Sequence, residues 1–262
     1  MDQKIRKLLA GECGNYIFPF FWQHGETEEV LREYMKVIAE SSIGAVCVES
    51  RPHPDFVGEK WWQDMDVILD EARKRNMKVW ILDDSHFPTG YANGVLKNAD
   101  GKLRRQSLTV RSLDCLKSGT EMEFSLESYQ KAAPWELNQM EQHMLQGQEW
   151  KLFDDDQLIS VTAVREGGKT EADILDLSGQ IPSGKIVFPV PEGKWQLKFC
   201  ILTRNRGPHR DYINMMDEES CRVLIDTVYE PHYQHYAADF GTTIAGFFSD
   251  EPEIGNGHLY EM

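Results

Sequence analysis

The sequence predicts an α/β protein: a parallel sheet covered by helices and interrupted by an antiparallel β module. Three observations lead there. Short apolar runs ending in polar residues alternate with amphipathic helical stretches. A central stretch of about a hundred residues switches to short strands with Gly-containing turns, and the strand–helix alternation then resumes. Buried strands alternating with helices require parallel pairing, because each crossover returns the chain to the same end of the sheet.

YIFPFFWQ, 16–23, reads as the first strand, and TEEVLREYMKVIAESS after it sets Leu31, Tyr34, Met35 and Ile38 on one helical face. GAVCVES, 44–50, is the second strand; KWWQDMDVILDEARKRN then carries the stripe Trp61, Trp62, Met65, Ile68, Leu69 and Ala72. KVWILDD, 78–84, is the third strand. SLTVRSL, KLFDDDQLISVTAVREGG, GKIVFPV and WQLKFCILT form the β module, with turns at Gly167-Gly168, Ser183-Gly184 and Glu192-Gly193. AAPWELNQMEQHM within it suits either a short helix or a surface loop. DEESCRVLIDTVYEPHYQHYAADFG is a helix capped by Asp217, with Val223, Leu224, Thr227 and Val228 on one side, which Pro231 kinks or divides. TTIAGFF, 242–248, is the fourth strand. The expected domains are 1–102, the first part of the α/β domain; 103–203, the inserted β-rich module; and 204–262, the continuation to the fourth strand.

With 43 acidic residues against 28 Lys and Arg, a net charge of −15 and no basic tract, the chain is not expected to bind nucleic acid. The five scattered cysteines show neither metal spacing nor a disulfide framework. The opening residues lack the pattern of a secretory leader, and no stretch is long and apolar enough for a bilayer. The expectation is no membrane partner and, if the N-terminus is native, a cytoplasmic protein.

In parallel β/α proteins, ligands gather at the carboxyl ends of the strands. In order, these ends carry Trp22, Gln23 and His24; Glu49, Ser50, Arg51 and His53; Asp83, Asp84, Ser85, His86 and Phe87; and Ser249, Asp250, Glu251 and Glu253. Rings together with carboxylates, amides and an Arg suit a carbohydrate, whose CH faces stack on aromatics while its hydroxyls need donors and acceptors. The candidate sugar-contacting residues are Trp22, His24, Glu49, Arg51, Asp84, His86 and Asp250. Glycoside hydrolysis needs one protonated carboxyl at the leaving oxygen and a second carboxylate. Glu251 is the candidate acid, with Pro252 biasing it toward extended geometry, and Asp250 pointing to the other side as an orienting residue. The competing reading of SDEPE is a solvated turn, since acidic residues beside Pro commonly form one.

DDSHFPTGYANG, 83–94, follows a strand and is Gly-containing, yet it has neither GxGxxG nor GxxxxGK[ST], and its aspartates repel phosphate. The same pair suits Ca2+ or sugar hydroxyls. His24, His53 and His86 lack zinc-site spacing. There is no GxSxG elbow, and Cys47 sits within a strand.

GNYIFPFFWQHG, KVWILDDSHFPTGYANG and DYINMMDEESCRVLIDTVYEPHYQHYAADFGTTIAGFFSDEP together resemble the α-L-rhamnosidase type of glycoside hydrolase, family 106 and its relatives. Those relatives carry W-L-Y-D-E, two variable residues, then W-P-S-G-F-A-G-G. Asp83, Pro88, Gly90, Ala92 and Gly94 match that pattern; Asp84 replaces Glu, Phe87 replaces Trp, Thr89 replaces Ser and Asn93 replaces Gly. The resemblance implies a partial (β/α)8 TIM-barrel-like domain of about four β/α units with an inserted antiparallel β module. It further implies inverting hydrolysis of a terminal deoxysugar such as α-L-rhamnose, a Ca2+ at the sugar site, Glu251 as general acid, and a second carboxylate from a later strand. Half a barrel would expose sheet edges, so the expectation is a fragment, a truncated product, or one half of an assembly that a second copy completes. Two alternatives stand beside this: a non-catalytic carbohydrate-binding or interaction protein, and a metal-using hydrolase of another substrate.

Overall fold

The structure is a computed structural model that describes residues 2–10, 17–85, 87–115, 118–134, 136, 139, 151–207 and 209–253. In chain order the elements begin with α1 Gln3–Leu9, β1 Phe20–Gln23, α2 Glu28–Glu40, β2 Ala45–Ser50, α3 Glu59–Arg75 and β3 Lys78–Leu82. The chain then runs through β4 Ser107–Asp114, β5 Glu121–Ser125, β6 Gln157–Arg165, β7 Ile174–Asp176, β8 Lys185–Pro189 and β9 Trp195–Thr203. It returns in the helices α4 Glu218–Leu224 and α5 Glu230–Tyr236 and ends in β10 Ile244–Phe248. Two units result: the described residues of Met1–Leu103 with Asp211–Ile254, and those of Arg104–Arg210.

In the first unit the strands form one parallel sheet, ordered β1-β2-β3-β10, with β1 and β10 as open edges. This is mixed α/β architecture with an open four-stranded sheet. Strand alternation gives the sheet two distinct faces. Phe21, Val46, Val48, Val79 and Ile81 face the helices and pack on Leu31, Met35, Trp61, Met65, Ile68 and Leu69. Each such side chain contributes about 1.5–3 kcal/mol by leaving water. Tyr34, expected on the buried stripe of α2, is half exposed, although its ring still meets Phe21 edge-on. The other face carries Phe20, Trp22, Trp80 and Phe248. The Phe20 and Phe248 rings lie 5.5 Å apart although their strands are opposite edges of the sheet. In a flat sheet those edges would be about 14 Å apart, three strand spacings, so the sheet is curled with this aromatic face inside.

The helix before β10 solves the Pro231 problem by widening. α4, capped by the Asp217 carboxylate on the Ser220 amide at 2.8 Å, passes into a π segment over Ile225–Tyr229, and α5 follows with Pro231 in its first turn. A proline donates no N–H and its ring crowds the carbonyl four residues back; the wider turn relieves both. His232, fully buried, donates from Nδ1 to the Val228 carbonyl at 2.6 Å, and its Nε2 accepts from the Trp61 indole N–H at 2.9 Å. Both ring nitrogens are thereby committed as a neutral imidazole.

In the second unit, β4-β9-β6-β7 form an antiparallel sheet and β5-β8 a second one. Val161, Ala163, Ile186, Phe188, Leu197 and Phe199 make its core, and β9 alternates strictly between buried and part-buried positions. β5 and the three-residue β7 add to the strands the patterning identifies. The AAPWELNQMEQHM stretch lies mostly outside the described residues. No helix among the described residues is long and apolar enough to cross a membrane.

Burial holds the His232 imidazole down to about 4, against 6.5 for the ordinary group. The folded state therefore binds fewer protons than the unfolded chain between those values. Stability that is fully present above the unfolded value should fall by about 2–3 kcal/mol as pH drops toward 4.5. Urea unfolding at pH 7 and pH 4.5 should show this loss, and His232→Gln should show a smaller one; equal losses in both proteins would contradict it.

Candidate functional site

Five side chains from four strand ends meet in the first unit. After β2, the Arg51 guanidinium lies over two rings: its Cζ is 5.6 Å from the Trp22 ring centre at the end of β1 and 5.4 Å from that of Phe87 after β3. Arg51 Nε is 2.6 Å from Glu49 Oε1, and Arg51 Nη2 is 3.9 Å from Asp250 Oδ2 after β10. Trp22 and Glu49 are register partners across β1 and β2, which explains the meeting of the ring and the carboxylate. A cation over an aromatic face gains about 0.5–2 kcal/mol depending on desolvation; Arg51 Nη2 and Glu49 Oε1 are buried without a hydrogen-bond partner.

Burial raises the Glu49 carboxyl, with Arg51 and the Trp22 N–H opposing and Asp250 reinforcing. Burial also raises Asp250; Arg51 opposes, while Glu251 and Asp83 raise it further. Cys47, beneath Glu49 on the same strand, is pushed up to about 12 by burial and then by Glu49, Asp250 and Asp83, so it carries no thiolate at neutral pH.

The two consecutive aspartates after β3 have separate duties. Asp84 is fully buried; its Oδ1 accepts the amides of Ser85 and Asn93, both at 2.8 Å, and its Oδ2 those of Gly90 at 3.0 Å and Ala92 at 2.8 Å. Ala92, Asn93 and Gly94 take left-handed φ of 50°, 52° and 76°, curling the loop so that its N–H groups converge. Such a nest binds anions, and here the anion is the loop's own Asp84. Burial raises this carboxyl while the four amides oppose. Asp84 is therefore a loop-shaping residue with its acceptor sites taken, and the expected contact with sugar gives way to that role. Gly90 is needed for a close approach: a Cβ there would lie 2.2 Å from the Tyr212 ring, at φ +140°.

Asp83, also fully buried, accepts hydroxyls from three elements: Thr89 Oγ1 at 2.6 Å, Tyr229 at 2.5 Å, and Ser249. Thr89 in turn grips the β10 exit. Its Oγ1 accepts the Asp250 amide at 3.0 Å, and its own N–H donates to the Asp250 carbonyl at 3.0 Å. Tyr212 bonds the Thr89 carbonyl and accepts the Glu253 amide at 2.9 Å. Glu251 and Pro252 must then turn between two pinned points, and since the proline fixes its own φ, Glu251 absorbs the turn at φ +42°. This corrects the extended geometry expected of Glu251. A non-glycine residue there costs about 1–2 kcal/mol, which the pinned ends offset. Glu251 is exposed at the lip beside Asp250.

Two of the predicted histidines have partners of their own. His24 is exposed and pairs with Glu26 at 2.7 Å. His53 is buried, with Nε2 3.0 Å from Asp64 and Nδ1 accepting the Asp55 amide. His86 lies outside the described residues. Among the described residues no group of three or more His, Cys, Asp and Glu is placed to hold a metal ion, and the oxygens of Asp83 and Asp84 are engaged as above, so this set does not fit Ca2+. Sequence reading missed the Phe87 ring as a stacking partner and the hub of Asp83, Thr89, Ser249, Tyr229 and Tyr212. The available signal was a hydroxyl residue in each acidic loop, Thr89 and Ser249.

No family model and no curated protein matches the chain. Among solved structures, a rhamnosidase from Novosphingobium sp. PP1Y is similar, with a TM-score of 0.48 and 9% identity over 95% of this chain and 39% of that one. This chain thus spans well under half the length of that protein, and at that score the likeness bears on neither substrate nor mechanism.

Two outcomes test the site's construction. Asp84→Asn puts an NH2 group against amide donors and should lower stability by about 1–3 kcal/mol, read as a drop in Tm; an unchanged Tm would refute the nest. Arg51→Met removes the cation that opposes protonation of both acids, so carbon-detected NMR titration should show Glu49 and Asp250 moving upward. If neither moves, the electrostatic coupling through Arg51 is wrong.

Proposed function

We propose that the first unit carries the sugar-binding cleft of a glycoside hydrolase-like protein. The observation that carries this is the meeting of Trp22, Glu49, Arg51, Phe87 and Asp250 at the carboxyl ends of four parallel strands. Aromatic faces beside paired donors and acceptors suit a carbohydrate ring. The curl of the sheet, with Phe20 against Phe248, supports reading its strands as part of a (β/α)8 barrel. The sequence resemblance adds the substrate class, a terminal deoxysugar such as α-L-rhamnose.

The acid of this cleft is Asp250. A general acid must hold its proton near working pH, and Asp250 has the burial and the neighbouring charges that favour this. Glu251, the candidate from sequence, stands next to it and tunes it by like charge. Glu49 is the second carboxylate. Its 2.6 Å ion pair with Arg51 favours a second reading, carbohydrate binding without turnover, because a carboxylate held by a guanidinium is a weaker base and nucleophile.

Aryl α-L-rhamnosides and a panel of other aryl glycosides separate the readings. On the first, Asp250→Asn lowers kcat at least about 100-fold, whereas Glu251→Gln retains most of the turnover and shifts the pH profile downward. Saturable calorimetric binding with no release of aryl alcohol identifies the binding protein. Loss of turnover in Glu251→Gln with Asp250→Asn unaffected would return the acid role to Glu251.

A further inference from the structure

We propose that this chain self-associates edge to edge, with the helix α1 of one copy seated in an apolar groove beside β10 of a second copy. The inference is independent of the sugar-cleft reading and names the surfaces through which two copies meet.

The groove belongs to the first unit. Ile213, Met215, Leu224, Ile225, Tyr233 and Phe247 make it largely apolar, Glu230 adds a carboxylate, and its volume is about 650 Å³. It flanks β10, which among the described strands pairs with β3 alone and leaves the backbone groups of its other side open.

The matching element is α1. In the chain α2 joins β1 to β2 and α3 joins β2 to β3, and a crossover helix packs back over the strands it joins. α1 instead precedes β1, whose outer edge has no neighbour in the sheet. Its Ile5 and Leu9, one turn apart on one helical face, are 48% and 73% exposed and belong to neither core cluster. Where the β1 edge of one copy continues the parallel sheet beyond β10 of another, α1 stands over the new junction. There the groove receives it as grooves receive amphipathic helices.

Charge selects the same pair of surfaces. The net charge of −15 opposes self-association in general, so copies can meet only where a basic surface finds an acidic one. α1 carries Arg6 and Lys7 in its last turn. The groove has Glu230, with Asp226 four residues before it, and all four residues are exposed. None of the four makes an ion pair among the described residues. Because the sheet is curled, the second copy can return its own α1 to the first, so the contact is made twice and closes as a pair.

Sedimentation equilibrium of the 262-residue chain over a concentration series reads the association directly. The chain should form a pair, and Arg6→Glu with Lys7→Glu should weaken it at least about tenfold, since each charge counts twice in a closed pair. Asp226→Lys with Glu230→Lys should weaken it equally, and all four changes in one chain should restore it. Leu9→Ser, at an exposed position, should weaken pairing with the circular dichroism spectrum unchanged. Cys221 lines the groove and gives a second readout: its labelling by a maleimide should slow as protein concentration rises into the paired range. A chain that stays monomeric at every concentration overturns the proposal, including one whose Cys221 is shielded by its own α1. So does a pair indifferent to both charge reversals, or one that the combined reversal fails to restore.

Discussion

The candidate site depends on two buried carboxylates, Asp83 and Asp84, at the end of β3. An uncompensated charge in such a place costs several kcal/mol, so each must be enclosed by donors. Asp84 draws them from backbone amides and thereby fixes the shape of its own loop; Asp83 draws them from hydroxyls on the β3 loop, the π segment and the β10 exit. The polar requirement of one strand end thus becomes the geometric definition of two loops. Through Thr89 the same network reaches both backbone groups of Asp250. The acidic rim is a consequence of this anchoring, and the left-handed turn at Glu251 is its local cost.

Above that anchor the cleft is organised by competition for one guanidinium. Arg51 stabilises the charged forms of Glu49 and Asp250, and burial disfavours them. For both acids burial prevails, and their carboxyls lie above the ordinary range. Two rings lie against Arg51, and the acids share it as a neighbouring cation at 2.6 Å for Glu49 and 3.9 Å for Asp250. That linkage distinguishes the site from a solvated turn. In a turn, Asp250 would face water and its neighbours would be screened.

Much of the framework was legible in the sequence because burial has a period. Val46, Val48, Val79 and Ile81 alternate within their strands, and Leu31, Met35, Trp61, Met65 and Ile68 recur at helical spacing. β7, three residues long, offers too short a pattern to recognise, and the conformation of Pro231 depends on how the preceding turn widens. The strand-end residues were legible as polar but their duties were not. Asp83 and Asp84 are identical in sequence, and only the curl of the following loop gives one to amides and the other to hydroxyls. The proline rule for Glu251 failed for a related reason. A local preference worth a kcal/mol or so yields when Thr89 and Tyr212 hold the chain on either side.

The division of chemistry between the two faces of the sheet has a single cause. Residues of opposite parity in each strand meet either the helices or the concave side. The helix side is filled by a closed apolar core of aliphatic and aromatic residues, and its polar strand-end groups, Asp83 and Ser249, bond to one another. On the concave side Phe20, Trp22 and Phe248 remain substantially exposed, with Glu49, Arg51 and Asp250 at the carboxyl end of the same surface. An aromatic floor with an acidic rim is unsuited to an aliphatic partner, which would strip water from the carboxylates without replacing their hydrogen bonds. It is equally unsuited to a polyanion. A ligand that would satisfy both parts has apolar faces and hydroxyl edges on one small ring, as the proposed sugar does.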